Sequence, residues 1–311
     1  MKNNNASFSL NDKYEFIDKK ALYSGGYGKI YRIRDKKVKT EFVLKKLKKY
    51  DPKKPEIKGT DKNAFENEKN FLINVKGTNI LNIIDYYDDE KDDSYYFIFE
   101  KMDGDLEKLL KTKYKNGMSS QMIRKIFSQV NSGLKIMKKL GKSHRDLKPS
   151  NILFSYVDDK EKDFIVKIGD FGLATDLSTQ NVTATDCGTL IFKAPEVESG
   201  KFNNKCDLYS IGIILYMLKT GQCIFEGNSM REIIINQYKN KFRKETDDKK
   251  LNDLIKKLVV TEPEQRMNWD EYFEHPFFKE NDDESKFFLI KIVLKLKEDI
   301  KKLEKGKIFL M

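Results

Sequence analysis

Two short strings near the middle of the chain constrain its fold more than any other feature. Residues 144–151 read His-Arg-Asp-Leu-Lys-Pro-Ser-Asn, and Asp170-Phe171-Gly172 follows nineteen residues after Asn151. Carboxylate and amide oxygens of this kind suit Mg²⁺. A carboxylate base beside a lysine suits the transfer of a phosphoryl group from ATP to a hydroxyl. A fold that uses both strings must bring them to one site.

The order of the two strings resembles the catalytic half of a eukaryotic protein kinase, and Asp-Leu-Lys-Pro is typical of the serine/threonine type. The resemblance covers residues 14–278. It implies an α+β, bilobal protein-kinase fold with a small β-rich N-lobe, one main N-lobe helix and a larger helical C-lobe. The predicted parts are a flexible N-terminal segment 1–13, the N-lobe 14–100, a hinge 100–105, the C-lobe 106–278 and an amphipathic helical tail 279–311.

The resemblance also implies catalytic roles for four residues of the two strings. Asp146 would accept or orient the proton of the substrate hydroxyl, and Lys148 would stabilise the charge on the γ-phosphate. Asn151 and Asp170 would bind the metal. The cofactors implied are therefore ATP and Mg²⁺.

A glycine cluster near the N-terminus resembles the loop that covers the phosphates of ATP, where a Cβ would obstruct the backbone. The match is incomplete, because Tyr23 stands in the place of the first glycine. Val43 replaces an alanine and would crowd the adenine ring, which could lower nucleotide affinity. The ATP-binding residues implied by the resemblance are Leu22, Gly25, Gly28, Ile30, Val43, Lys45, Glu68, Glu100, Met102 and Leu153.

Lys45 lies in a lysine-rich stretch, so strand alternation is needed to separate it from its neighbours. Val43 and Lys45 share one face of a strand, and the resemblance directs this face to the nucleotide. A helix glutamate should pair with the lysine. The resemblance favours Glu68, which is in register with the family's helix and the strand after it, and Glu66 remains the alternative.

Local patterns predict strands and helices around these residues. The segments 29–33, 42–46 and 95–99 are rich in β-branched or aromatic residues and favour strands. Residues 64–75 favour a helix, with Asp61 as a possible N-cap.

A second helical pattern begins at Ser119 or Ser120, which could cap it, and continues through Leu140. A third spans Asp207 to Leu218. The second pattern has one apolar stripe, formed by Ile123, Ile126, Phe127, Val130, Leu134 and Met137.

The stretch from Asp170 to Glu196 is rich in threonine and resembles an activation segment. Phosphorylation there could order the segment through charge-assisted hydrogen bonds. Thr185 is the preferred phosphosite and Thr183 the second candidate, while an unmodified polar loop is the alternative interpretation. The resemblance further implies a substrate-platform role for Thr189, a pairing of Glu196 with Arg266, and binding of the catalytic-loop backbone by Asp207.

Composition limits the choice of partners and location. Sixty Lys plus Arg against 49 Asp plus Glu give a formal charge of +11, but acidic residues separate the lysines and no recognised nucleic-acid module is present. We therefore expect a solvated basic surface and no specific nucleic-acid partner. The sequence lacks an apolar run of membrane-spanning length, which favours an intracellular, cytoplasmic protein without a transmembrane segment. The odd number of cysteines, three, favours free thiols.

The function predicted from the sequence is ATP- and Mg²⁺-dependent phosphorylation of protein serines and threonines. The partners would be protein substrates and an upstream kinase. A pseudokinase scaffold, which binds nucleotide or partners without catalysis, is the alternative. The tail carries an apolar stripe with lysines opposite and would dock on its own large lobe, on a partner helix, on a calmodulin-like protein or on a membrane surface. Its stripe consists of Leu289, Val293, Leu296, Ile300 and Leu303.

Overall fold

The structure is a computed structural model, and its chain divides into two compact units. Unit 1 contains the described residues up to Lys76 together with Leu81–Lys101, and unit 2 contains Gly77–Ile80 and those from Met102 onward. The described residues are 10–25, 28–53, 59–157, 163–172, 175–176, 190–198 and 203–279.

Unit 1 is a six-stranded antiparallel sheet with one main helix. The strands are β1 (Tyr14–Phe16), β2 (Tyr23–Gly25), β3 (Gly28–Asp35), β4 (Glu41–Lys48), β5 (Ile83–Asp89) and β6 (Ser94–Glu100). They pair in the order β1-β3-β4-β6-β5, and β2 pairs with β3. A short helix α1 (Leu10–Lys13) precedes the sheet, and α2 (Lys62–Asn74) follows β4.

The alternation of β4 divides its side chains between two environments. Phe42 and Leu44 are buried in a cluster with Ile33, while Val43 and Lys45 lie on the opposite face because successive residues of a strand alternate. The strand positions predicted at 29–33, 42–46 and 95–99 are confirmed.

In unit 1, the helical turn α1 comes directly before Tyr14. Leu10 is 4% exposed and belongs to the same cluster as Tyr14. Residues 10–13, which the sequence analysis assigns to the flexible segment, instead form a helical turn. The reason is that burial of the Leu10 side chain stabilises this turn. The sequence of the polar segment around Leu10 does not indicate this burial.

Helix α2 begins where its cap predicts. The Asp61 side chain accepts a hydrogen bond from the Ala64 backbone N–H at 2.8 Å, which satisfies one of the free donors of the first turn. The helix therefore starts directly after its predicted cap, two residues before the predicted range of 64–75. Glu68 lies on its buried side.

Unit 2 is mainly helical, with short strands beside the helices. The strands are β7 (Gly104–Asp105), β8 (Lys142–Ser143), β9 (Ile152–Tyr156), β10 (Phe164–Ile168) and β11 (Thr175–Asp176). Strand β9 pairs with both β7 and β10, and β8 pairs with β11. The helices are α3 (Leu106–Thr112), α4 (Ser120–Lys139), α5 (Pro195–Glu198), α6 (Cys206–Thr220), α7 (Met230–Tyr238), α8 (Lys249–Leu258) and α9 (Trp269–Phe273), with 3₁₀ turns at Pro149–Asn151 and Pro276–Phe278.

Two helices form the centre of unit 2. Helix α4 is capped by the Ser119 side chain, which accepts from the Met122 N–H at 3.2 Å, and all six residues of its predicted stripe are buried. Helix α6 is buried along nearly its whole length. It ends at Gly221, where φ is +72° and a Cβ would lie 2.2 Å from the Lys115 carbonyl oxygen. A buried helix with a sharp end is a rigid support for the loops that pack on it.

The β-rich unit with one main helix and the mainly helical unit together confirm the predicted α+β fold class. In the part of the chain that the structure describes, no helix is both long enough and apolar enough to cross a bilayer.

Candidate active site

The loop 144–151 is held at its start by one buried carboxylate. Asp207, in the first turn of α6 and 2% exposed, accepts hydrogen bonds from the Ser143 hydroxyl and the His144 N–H, both at 2.7 Å, and from the Arg145 N–H at 2.8 Å. Arg145 has a φ of 65°, a left-handed conformation that is uncommon for a residue other than glycine. The charge-assisted bonds to Asp207 stabilise this turn.

Three side chains of the loop converge after this turn. The Lys148 Nζ lies 2.8 Å from Oδ2 of Asp146, and the Asn151 amide nitrogen donates to the Asp146 carbonyl at 2.8 Å and to its Oδ2 at 3.1 Å. Asp146 is 6% exposed. Its other carboxylate oxygen, Oδ1, is buried and has no hydrogen-bond partner among the described residues. A buried acceptor of this kind is suited to receive a proton from a bound hydroxyl.

The two candidate metal ligands are joined through the backbone. The Gly169 N–H donates to the Asn151 carbonyl at 2.9 Å, and the Gly169 carbonyl oxygen accepts a hydrogen bond from Nε2 of the His144 ring at 3.0 Å. Phe171 is buried, with its ring 5.2 Å from that of His144, while the Asp170 side chain is exposed at a φ of 57°.

The donor set of these two residues fits Mg²⁺. Because the Asn151 amide nitrogen is engaged with Asp146, its Oδ1 is the atom left to act as a ligand, and it accepts no hydrogen bond within the described ranges. Asp170 supplies a carboxylate. One amide oxygen and one carboxylate, completed by phosphate and water oxygens, form a shell that Mg²⁺ prefers.

Unit 1 contains a buried ion pair between a strand and a helix. The Lys45 Nζ lies 2.9 Å from Oε1 of Glu68, and the two side chains are 11% and 9% exposed. Glu66, the alternative partner in the sequence, instead pairs with Lys69 one turn along α2. The structure therefore places Glu68, and not Glu66, against Lys45.

The glycine cluster forms a hairpin in which Tyr23 opposes Ile30 and Gly25 opposes Gly28. Gly28 has a φ of +121°, and a Cβ there would lie 2.2 Å from the Lys46 carbonyl oxygen, so only glycine fits. The Tyr23 side chain is 62% exposed. Leu22 is also exposed, and its N–H donates to the Ile30 carbonyl at 2.8 Å.

The remaining candidate nucleotide contacts belong to different units. Glu100, the last residue of β6, accepts at 2.8 Å from the Asn82 N–H through its side chain. Met102 and Leu153 belong to unit 2 and are half-buried. Val43 is half-buried in β4 and opposes Phe99 of β6.

The predicted pairing of Glu196 with Arg266 is present and is bidentate. The guanidinium donates to the two carboxylate oxygens at 2.7 and 3.1 Å, and it also donates to the Val260 carbonyl at 2.7 Å. The Arg266 side chain is fully buried. A buried charge of this kind needs its partners, because removing one leaves an uncompensated charge.

Sequence reasoning missed the contacts of Tyr209, a residue that the resemblance to the kinase family places where a tryptophan is usual. The Arg266 guanidinium lies 5.0 Å from the Tyr209 ring centre, and the Tyr209 hydroxyl accepts from the Gln237 side-chain nitrogen at 3.3 Å. The same nitrogen donates to the Lys193 carbonyl at 3.0 Å. Burial raises the pKa of Tyr209 above its ordinary value, so the hydroxyl remains neutral. A tyrosine in place of the expected tryptophan is the only signal in the sequence.

The activation-segment candidates Thr183, Thr185 and Thr189 lie outside the described residues, as does the tail 280–311.

Comparison with known proteins identifies the class to which this fold and site belong. Residues 16–278 match the protein kinase domain family. The chain therefore belongs to the protein kinase family.

Its relatives include named serine/threonine kinases, which confirms the predicted type. Calcium-dependent protein kinase 4 of Plasmodium falciparum (isolate 3D7) is 30% identical over 285 residues, which cover 88% of this chain and 51% of that protein. Serine/threonine-protein kinase atg1 of Dictyostelium discoideum is 30% identical over 281 residues, covering 87% and 40%. The DNA damage response protein kinase DUN1 of Saccharomyces cerevisiae is 31% identical over 301 residues, covering 87% and 57%. The chain spans about half the length of the curated relatives it matches.

Proposed function

We propose that the chain transfers the γ-phosphoryl group of ATP, with Mg²⁺, to serine and threonine hydroxyls of protein substrates. The observation that carries the proposal is the group of Asp146, Lys148 and Asn151 on a loop fixed by Asp207. Family membership and the named relatives support the same reaction.

In this proposal, Oδ1 of Asp146 accepts the proton of the substrate hydroxyl. Lys148 lies on the other carboxylate oxygen, Oδ2, where its charge is available to the phosphoryl oxygens. Asn151 and Asp170 hold Mg²⁺, which supplies neutralisation of the phosphate charge when bound.

Lys45 binds the α- and β-phosphates, and Glu68 orients it. We assign the backbone of Gly28 to the loop over the phosphates. The fold also requires glycine there, because a Cβ would lie 2.2 Å from the Lys46 carbonyl oxygen. We assign contacts to the remainder of the nucleotide to Leu22, Gly25, Ile30, Val43, Leu153 and the backbones of Glu100 and Met102.

Transfer of radiolabelled phosphate from ATP to a generic basic protein, in the presence of Mg²⁺, tests the reaction. Asp146→Asn should lower the rate by roughly 10²- to 10⁴-fold, because the base is lost. Asp270→Asn is the matched control, since the Asp270 side chain is 85% exposed and pairs with Lys138. Nucleotide binding without transfer by the unsubstituted chain would favour a pseudokinase scaffold and refute the enzyme.

Regulation by phosphorylation of the activation segment is part of the proposal, with an upstream kinase as the partner. Thr185 is the preferred acceptor and Thr183 the second. After phosphatase treatment and rephosphorylation, wild type should regain activity that Thr185→Ala does not regain. Equal recovery by both proteins would remove Thr185 from the proposal.

A further inference from the structure

Helix α2 contacts strand β6 through a stack of aromatic rings. The Phe65 ring lies 4.2 Å from that of Tyr95, at an interplanar angle of 8°. It lies 5.0 Å from that of Phe97, at 28°. The three residues are at most 4% exposed. Stacked pairs of this geometry contribute stability beyond the area that they bury.

The stack lies on the face of the sheet that carries Lys45. Tyr95, Phe97 and Phe99 alternate along β6 and therefore share one face. Phe97 is the register partner of Lys45 in the β4–β6 ladder. Residues directly opposite in an antiparallel pair point to the same side, so the Phe65 ring contacts the neighbour of Lys45.

Phe65 and Glu68 are three residues apart on α2 and are therefore neighbours on the helix surface. The helix thus contacts the sheet at two adjacent points, one through a ring stack and one through an ion pair. A lysine side chain can follow a rotating helix, because its four-carbon stem is flexible. Parallel rings cannot do so without losing their overlap, and the stack therefore fixes the rotation of α2 about its axis.

We propose that Phe65 is a positioning residue that places Glu68 against Lys45. The inference rests on the proposed function for its kinetic consequence, but the placement itself is a property of unit 1. Both contact points lie within that unit. The ring stack thus fixes the position of Glu68 next to Lys45 through contacts that lie wholly within unit 1.

The reactivity of the Lys45 amine measures this placement without any catalysis. The Lys45 side chain is 11% exposed and paired, so acetic anhydride should acetylate it slowly, and mass spectrometry can follow the site. Phe65→Leu removes the ring and should raise the acetylation rate of Lys45 by roughly three- to tenfold. Phe65→Met, whose unbranched side chain has about the volume of leucine but adapts better to an irregular gap, should show the same direction and serves where the leucine variant folds poorly.

Phe42→Leu is the matched control, with Phe42→Met beside it. Phe42 is 6% exposed in the same unit, and its ring packs edge-on against Tyr14 at 6.1 Å in the cluster on the opposite face of β4. The Phe42→Leu substitution removes a comparable ring that does not contact α2. The acetylation rate of Lys45 should therefore remain within about twofold of wild type. Equal acceleration by the Phe65 and Phe42 variants would overturn the proposal.

A double variant separates positioning from general loosening. In the Glu68→Gln background, Phe65→Leu should add little further acetylation, because the pair that it positions is already lost. Multiplicative effects would overturn the proposal. Phe65→Leu should also lower kcat/KM for ATP by a similar three- to tenfold factor. A wild-type chain that transfers no phosphate would refute the proposed function, while the acetylation rates would still decide the role of Phe65.

Discussion

The candidate residues of the two units are fixed in different ways. In unit 1, the Lys45–Glu68 pair depends on contacts between side chains of a strand and a helix. In unit 2, the Asp146 loop depends on backbone N–H groups that donate to the buried Asp207 carboxylate. Backbone bonds fix the course of the chain itself, whereas side-chain contacts fix only the orientation of groups that the chain already carries.

This difference predicts different costs for substitution. Loss of a buried charge partner in unit 2 leaves an unpaired charge or unsatisfied N–H groups, and each is expensive away from water. Loss of a side-chain partner in unit 1 leaves the backbone hydrogen bonds of the sheet and helix intact. Substitutions of this kind should therefore lower the free energy of unfolding more in unit 2 than in unit 1, while a substitution in unit 1 can still lower activity.

The largest expected loss of stability follows substitution of Arg266. Arg266→Met removes the bidentate partner of the Glu196 carboxylate, which is 8% exposed, and should lower the free energy of unfolding by about 3–5 kcal/mol. Lys257→Met is the control, because Lys257 and Asp253 form a pair in which both side chains are about half exposed. It should cost at most about 1 kcal/mol. Urea denaturation of the two variants measures both values. Equal losses of unfolding free energy would contradict the expected difference between a buried and an exposed ion pair.

Asp207→Asn should have the next largest effect. An amide in this position cannot accept from both backbone N–H groups and the Ser143 hydroxyl with the strength of a carboxylate, so we expect a loss of about 2–3 kcal/mol. Hydrogen exchange should accelerate at the amides of His144 and Arg145 in particular. If these amides remain as protected as in wild type, the loop does not depend on Asp207.

Glu68→Gln should cost less stability than either and still reduce activity. The flexible stem of Lys45 lets its ammonium group move toward water once the charge of Glu68 is removed, so the free energy of unfolding should fall by no more than about 1 kcal/mol. Because Lys45 is no longer oriented, kcat/KM should fall by roughly 10- to 100-fold.

Glu66→Gln is the matched control for this substitution, since Glu66 lies on the same helix and pairs with Lys69. Its activity should remain within about twofold of wild type. Steady-state kinetics at varied ATP concentration compare the two proteins. Equal losses would show that charge on α2, and not the pairing of Lys45, governs the rate.

Much of this arrangement follows from local signals in the sequence. Alternation in β4 separates Lys45 from Leu44, and the caps Asp61 and Ser119 mark the starts of α2 and α4. The resemblance of the two motifs to those of the kinase family implies the pairing of Glu196 with Arg266, which is present. These features are predictable because each depends on the period of one element or on a residue at a fixed position in a motif.

Contacts between distant residues outside the motifs were not predictable. Nothing in the sequence pairs Phe65 with Tyr95 and Phe97, although the alternate aromatic residues of β6 indicate a packed face. Tyr209 meets Gln237 through a hydroxyl that the expected tryptophan would lack. Such contacts depend on how elements pack, which neither periodicity nor capping specifies.

The smallest expected effect concerns Cys206, whose reactivity reports on unit 2 alone. Burial, and next the charge of Asp207, raise the pKa of its thiol far above the ordinary value, and the thiolate is the form that alkylating agents attack. The Cys206 sulfur lies 3.6 Å from the Ser143 hydroxyl, beside the groups that Asp207 binds. Iodoacetamide should therefore modify Cys206 only when this region opens. Asp207→Asn should accelerate the modification, whereas Glu68→Gln should leave its rate within about twofold of wild type. Peptide mass spectrometry measures the rate at which Cys206 is modified. If Glu68→Gln accelerated this modification as much as Asp207→Asn does, the two units would not respond separately.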